Sequence, residues 1–101
     1  MRMIMLVQFP IEPFNTLVRS GAIGEKMHKI LDATRAESAY FTERDGLRGA
    51  ILVVNLENAS DVARIAEPWF LTFDASIEYR VAMTPEDLGR AKLDELGRQW
   101  A

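Results

Sequence analysis

Along this chain, segments in which hydrophobic residues have the spacing of a strand are followed by segments in which they have the spacing of a helix. The order of these segments predicts strand, helix, strand, strand, helix and strand. Residues 1–9 hold a short apolar run that Pro10 ends, as expected for a first strand. Residues 48–56 are apolar at nearly every position, so the third strand requires cover on both faces of its sheet. Residues 76–83 alternate apolar and polar side chains, which is typical of a strand with one wetter face.

The segment between the first two strands contains two helical phases. One apolar stripe comprises Phe14, Leu17 and Val18. A second stripe begins at Ile23 and continues at i+4, i+7 and i+8. At ~100° per residue the two stripes point in different directions, so a single straight helix cannot bury both. We predict a short helix near residues 13–19, a break at Ser20–Gly21 and a main helix near residues 22–34.

The pair Asp45–Gly46, between two strand-like runs, predicts a β-hairpin with a two-residue turn. This turn fixes the register, so Tyr40 shares a sheet face with Ile51 while Phe41 lies on the other. We expect the helices to cover the face of Tyr40. The opposite face is then the predicted outer face, and it comprises Phe41, Ala50, Leu52 and Val54.

The second half of the chain predicts two more helices. Ser60 is expected to cap the first, whose apolar stripe runs through residues 62–73, and Pro68 is expected to kink or restart it. Residues 84–87, Thr-Pro-Glu-Asp, have the composition of a helix start. The last helix carries on one side Leu93, Leu96 and Trp100. We interpret residues 1–101 as one domain.

Composition and charge exclude several functional classes. The chain is 49% hydrophobic and 27% charged, which argues against disorder. A net charge of -3 offers no basic surface, so we predict no nucleic-acid partner. With no cysteine and one histidine, the chain has no disulfide framework and no site built from two of its own histidines. We predict no metal and no cofactor.

The apolar runs are short throughout the chain. None approaches the ~20 residues of a membrane-spanning helix, so no membrane association is expected. The N-terminal run lacks the longer apolar core and the cleavage site of a signal peptide. The cytoplasm is therefore the predicted location.

The order βαββαβ with an antiparallel sheet predicts an α+β, ferredoxin-like sandwich with an extra C-terminal helix. The third strand opens with Arg48–Gly49 as in RNA-recognition motifs, but Ala50 and Leu52 replace the aromatic residues that stack on bases. An apolar outer face instead resembles the dimeric α+β barrel superfamily, in which two sheets pack face to face across a two-fold axis. This resemblance implies a homodimer through the predicted outer face. The alternative is a monomer whose last helix folds back over that face.

Three segments also resemble a small bacterial family of uncharacterised proteins within that superfamily. They are residues 37–42 with the Asp45–Gly46 turn, residues 67–70 and residues 83–88. The wider superfamily includes cofactor-free monooxygenases, muconolactone isomerase, haem-degrading enzymes and ligand-binding regulatory domains. Because one fold serves many activities, the resemblance implies a fold and a dimer rather than a reaction.

Four side chains are candidates for a small-ligand site. Tyr40 and Tyr79 are predicted to face the helices, where a hydroxyl group binds or protonates a substrate oxygen unless backbone or water satisfies it. Glu67 and Trp69, near the expected kink, would line the same cavity, although a solvated role for Glu67 is the alternative. His28 points away from its apolar stripe, so we expect a surface residue and not a metal or haem ligand.

Two functions remain open at this point. The first is a non-catalytic dimeric module that binds a small hydrophobic ligand or serves as a structural subunit, which the absence of a sharp catalytic motif favours. The second is a cofactor-free enzyme of the monooxygenase or isomerase type acting on a small hydrophobic or aromatic substrate, which the resemblance favours. A cavity lined by Tyr40, Tyr79 and Trp69 would support a ligand site. A filled core there would support a structural role.

Overall fold

Helices cover one face of a four-stranded antiparallel sheet whose strand order is β2-β3-β1-β4. The computed structural model describes residues 1–101. In chain order the elements are β1 (Arg2–Gln8), α1 (Ile11–Ser20), α2 (Ile23–Thr34), β2 (Ser38–Arg44), β3 (Leu47–Asn55), α3 (Ser60–Phe73), β4 (Ser76–Val81), α4 (Pro85–Arg90) and α5 (Leu93–Gln99). The fold is the predicted ferredoxin-like α+β arrangement, with two short helices where one C-terminal helix was expected.

The predicted break between the first two helices is confirmed. Gly21 has a φ of 80°, a left-handed conformation that glycine adopts without steric cost. Its N–H donates to the carbonyl of Val18 at 3.1 Å, which closes the end of α1. His28 lies on the exposed side of α2, as its phase predicts.

The start of α3 differs from the expectation. Ser60 makes no capping hydrogen bond, so the predicted cap is wrong. The carboxylate of Asp61 accepts instead from the N–H groups of Glu57 and Asn58, at 3.1 and 3.0 Å. A kink or a restart was expected at Pro68; α3 continues through it to Phe73 without a restart, and the kink stays a prediction.

The hairpin register is as predicted. Asp45 and Gly46 both have positive φ, 53° and 78°, which a tight two-residue turn requires. Tyr40 therefore pairs with Ile51 and Phe41 with Ala50.

The structure reverses the predicted assignment of the two sheet faces. Leu52 and Val54 are fully buried beneath the helices, whereas Tyr40 is 68% exposed on the opposite face. The physical reason is that both faces of β3 are apolar, so alternation separates the faces without telling which one the helices cover. The predicted outer face is thus the inner one, and only Phe41, on the exposed edge strand β2, remains open to solvent there.

An aromatic cluster fills the space between sheet and helices. Its rings lie with centroids 5.1–6.0 Å apart, and its members are Phe9, Phe14, Trp69 and Phe73. The indole N–H of Trp69 donates to the hydroxyl of Thr34 at 3.2 Å, and that hydroxyl donates to the carbonyl of Ile30 at 2.7 Å. No buried polar side-chain atom lacks a partner.

The last eighteen residues, 84–101, form what we call the C-terminal arm. It begins with the predicted helix start, which is a capping box. The hydroxyl of Thr84 accepts from the N–H of Asp87 at 3.1 Å, and the carboxylate of Asp87 accepts from the N–H of Thr84 at 3.0 Å. Lys92, with a φ of 53°, separates α4 from α5. The molecule measures 60 × 28 × 19 Å, and its Cα radius of gyration is 17.2 Å, against ~13 Å for a chain of this length folded into one body.

The arm does not fold back onto the sheet, so the alternative of a monomer with its open face covered by the last helix is contradicted. No residue of α4 or α5 is buried. None of the five helices has the length and apolar run that crossing a membrane requires.

The pairing of Trp69 with Thr34 generates the first prediction. Thr34→Val keeps the shape of the side chain but leaves the buried indole N–H of Trp69 without an acceptor. We expect the free energy of unfolding in urea to fall by ~1–3 kcal/mol. Thr42→Val, an identical change at an exposed position, should stay within ~0.5 kcal/mol. Equal effects of the two substitutions would contradict the proposed role of the hydrogen bond.

Candidate functional site

The four side chains predicted to form one site lie in separate places. Trp69 is fully buried in the aromatic cluster, where its only polar group is satisfied by Thr34. Glu67 is exposed on α3, and Tyr40 is exposed on the face of the sheet away from the helices. Tyr79 alone faces the helices as predicted, half-buried beside the core. The space expected to hold a ligand between sheet and helices is therefore occupied by side chains.

The hydroxyl group of Tyr79 is hydrogen-bonded to the backbone, which was the alternative to binding or protonating a substrate. Its hydroxyl donates to the backbone carbonyl of Val62 at 3.0 Å. Partial burial disfavours the phenolate and raises the pKa of Tyr79 above the ordinary value of 10.0. The hydroxyl therefore ties β4 to α3 rather than presenting a free acid.

A continuous apolar surface occupies the face of the sheet that no helix covers. We call it the outer face, and it comprises Ile4, Leu6, Tyr40, Ile51 and Val53. The strand registers place Leu6 between Ile51 and Glu78, and Ile51 in turn opposite Tyr40. The side chains of this surface thus come from three of the four strands and meet at the centre of the sheet.

Charged side chains border the outer face along β4, where Glu78 lies opposite Leu6 and Arg80 opposite Ile4. Arg44 on β2 reaches across the sheet to Glu78 on β4, with a nitrogen–oxygen distance of 3.1 Å. Glu78 also lies 3.6 Å from Arg80. A Cβ atom at Gly49 would lie 3.1 Å from Cβ of Arg44 and 3.0 Å from the carbonyl oxygen of Val7. The missing side chain at this position therefore makes room for the arginine to cross.

Sequence reasoning missed the arrangement around Arg44. The signal was present in part, because the hairpin register places Arg44 on the same face as Tyr40. The partner Glu78 was not predictable, since β4 pairs only with β1, from which it is distant along the chain.

A second surface lies on the helical side of the molecule. We call it the helical groove: it runs between α2 and α3, encloses about 460 Å³, and its lining includes Lys26, Lys29, Ile30, Arg64, Glu67 and Leu71. Three cations and one carboxylate thus border an apolar floor. Glu67, a predicted site residue, belongs to this groove and not to the outer face that carries Tyr40. No three His, Asp or Glu side chains lie close enough to hold a metal ion.

Comparison with known proteins supports the fold and no particular activity. No family model and no curated protein matches the sequence. The structure resembles 5-chloro-2-hydroxyhydroquinone dehydrochlorinase from Burkholderia phenoliruptrix, solved in complex with 2,5-dihydroxybenzoquinone, with a TM-score of 0.59 and 12% identity over 85% of this chain and 97% of that one. A formyltetrahydrofolate deformylase from Pseudomonas putida gives a TM-score of 0.49 and 12% identity over 81% of this chain and 29% of that one. The sheet order and the first likeness fit a ferredoxin-like α+β fold.

The environment of Tyr79 makes a prediction about pH. Because its pKa is raised in the folded protein, burial of the neutral phenol contributes stability below pH 10.0 that is lost as the pH rises through the higher folded pKa. In a Tyr40→Phe background the tyrosinate absorbance comes from Tyr79 alone. Its titration midpoint should be higher in the folded protein than in urea. Identical midpoints in the two states would contradict the proposed burial.

Proposed function

We propose that this protein works as a homodimer in which the outer faces of two sheets pack together, as a small-ligand-binding or structural module. The observation that carries the proposal is the outer face itself, an apolar surface at the centre of the sheet to which the chain's own helices and arm contribute no cover. A two-fold axis brings the same surface from both subunits into contact, so one apolar patch is enough to form the interface.

The energetics of the outer face favour such packing. Ile4, Leu6 and Val53 are already half-buried, while Ile51 and Tyr40 remain 38% and 68% exposed. Fully burying an aliphatic or aromatic side chain of this size stabilises by ~1.5–3 kcal/mol. Facing sheets pack ~10 Å apart, which allows the side chains of two such surfaces to interdigitate.

Because side chains fill the core, we place the ligand at the interface between the subunits and not inside each subunit. Tyr40 is the one tyrosine whose hydroxyl has no partner within the chain, and its ring lies beside Ile51 on the outer face. An aromatic ring with a free hydroxyl suits a small hydrophobic or aromatic ligand that also carries one hydrogen-bonding group.

The geometry favours a binding module over a cofactor-free enzyme. General acid–base catalysis requires an acid or base within hydrogen-bond reach of the substrate. The hydroxyl of Tyr79 is engaged by backbone, and Glu67 lies on the far side of the helices from Tyr40. These groups do not face one common space. The likeness to a dehydrochlorinase is one of fold, and a shared fold does not assign a reaction.

The central position of Ile51 provides the test of the dimer. Ile51→Arg places a charge in the middle of the proposed interface, where it would be buried without a partner. We expect sedimentation to show a dimer for the parent protein at micromolar concentration and a monomer for the variant. The side chain is already 38% exposed in each chain, so the thermal stability of the folded monomer should change little.

A matched control comes from the same sheet. Phe41→Arg introduces the same charge at a residue that is 53% exposed on the other face of the edge strand, so this variant should remain a dimer. A monomeric parent protein, or loss of the dimer in both variants alike, would refute packing through the outer face.

The ligand site is tested with the two tyrosines. A set of small phenols and aromatic acids is screened for an increase in melting temperature, which reports binding to the folded state. For a compound that stabilises the parent, Tyr40→Phe should reduce the shift and Tyr79→Phe should preserve it. The reverse result would place the ligand beside the helices and contradict an interface site.

A further inference from the structure

Two arginines at the outer face share a single carboxylate. Arg44 lies 3.1 Å from one oxygen of Glu78, and Arg80 lies 3.6 Å from the other. Only the shorter distance allows a hydrogen bond. The side chain of Arg44 is 27% exposed, whereas that of Arg80 is 66% exposed. Glu78 therefore neutralises Arg44 and leaves the N–H groups of Arg80 open to another acceptor. We call these three residues the arginine cluster.

The surrounding sheet fixes the position of Arg44. The side-chain amide of Gln8 donates to the carbonyl of Arg44 at 3.1 Å, which ties the end of β2 to β1 across β3. The guanidinium then passes over Gly49, where no side chain stands in its way. Arg44 thus carries its charge across the sheet to the edge strand that holds Arg80.

The charges on the outer face do not balance. Its third arginine, Arg2, pairs with Glu37 at 3.1 Å. The strand registers place no other charged side chain on this face, so the arginine cluster leaves each subunit with one unpaired positive charge. A two-fold axis doubles this charge and cannot cancel it, because both subunits contribute the same sign. Packing of the faces removes water from the cluster, which raises the cost of a charge without a partner.

A monovalent anion at Arg80 restores the balance. A carboxylate carries one charge and matches the planar fork of a guanidinium, which donates two parallel hydrogen bonds to it. A phosphate monoester carries ~1.5–2 negative charges at pH 7, more than the cluster lacks. The cluster therefore favours a carboxylate.

Apolar side chains adjoin the arginine cluster. Arg80 lies opposite Ile4 in the register, and Leu6 is the next residue of β1 on this face. From Leu6 the row of side chains continues through Ile51 to Tyr40. A molecule whose carboxylate contacts Arg80 therefore has aliphatic surface, and then an aromatic ring, beside its remaining atoms.

We propose that the outer-face dimer binds one aromatic carboxylate per subunit, with the carboxylate on Arg80 and the ring on Ile4 and Leu6. The proposal rests on the outer-face dimer and names the polar group of the ligand proposed for it. Because the cluster borders the outer face along the edge strand β4, a ligand reaches it without separation of the two sheets.

Aromatic acids and their amides provide the test. Benzoate, phenylacetate and cinnamate are each compared at millimolar concentration with their own primary amides, which keep the ring and lack the charge. We expect sedimentation to show that at least one acid tightens the dimer about ten-fold or more, while its amide changes it less than about two-fold. Acetate, which has the charge without the ring, and phenyl phosphate should both act more weakly than that acid.

Charge-changing variants locate the effect. Arg80→Gln removes the unpaired charge, so its dimer should respond equally to each acid and its amide. Arg48→Gln removes an arginine of β3 that stacks on Phe14 on the helical side, and it should retain the preference for the acid. Glu78→Gln leaves a second arginine unpaired, so without any acid its dimer should be several-fold weaker than that of the parent.

The outcomes separate this site from the dimer on which it rests. A dimer that Ile51→Arg disrupts, but that responds alike to acids and amides, would refute the carboxylate site and leave the outer-face dimer standing. A parent protein that stays monomeric with and without the acids would refute both. A preference for the acid that persists in Arg80→Gln, or disappears in Arg48→Gln, would overturn the assignment to Arg80. An effect of phenyl phosphate larger than that of every acid would overturn the carboxylate as the ligand class.

Discussion

The constraint on which this structure depends is that three helices cover only one face of a sheet that is apolar on both. The aromatic cluster decides which face is covered. Phe9, Trp69 and Phe73 fill the space above Met5, Val7 and Leu52, and every buried polar atom in that space has a partner. Once this layer is complete, no apolar segment of the body remains to cover the outer face. This lack of a covering segment leaves the outer face exposed. The proposed oligomer and the proposed position of a ligand both follow from it.

Local signals in the sequence predicted the elements well, because each one depends on a few neighbouring residues. The left-handed conformation at Gly21 follows from two helical stripes that cannot share one axis. The hairpin register follows from the turn at Asp45 and Gly46. The capping box at Thr84 follows from the composition of its first turn. None of these features requires knowledge of how distant strands meet.

The face of the sheet that carries the helices was not predictable in this way. Pairing Tyr79 with Met5, and Met5 with Leu52, places Leu52 on the side of Tyr79 and Tyr40 on the opposite side. Those pairings join strands that are distant along the chain, so no tight turn in the sequence records them. The predicted position of the candidate site depended on the same strand pairings. Its two tyrosines were each assigned to the helical side, although only one of them lies there.

The edge strand β2 has a consequence for the behaviour of the protein in concentrated solution. Its residues are exposed on both faces, with Tyr40 on one side and Phe41 on the other. Such an edge is a template for pairing with a strand from any neighbouring molecule, the first step of β-aggregation. Charged residues bound it, with Glu37 just before the strand and Glu43 and Arg44 at its end. These charges limit the segment open to pairing to about five residues. A few charged residues, and not a covering helix or loop, therefore protect this edge from self-association.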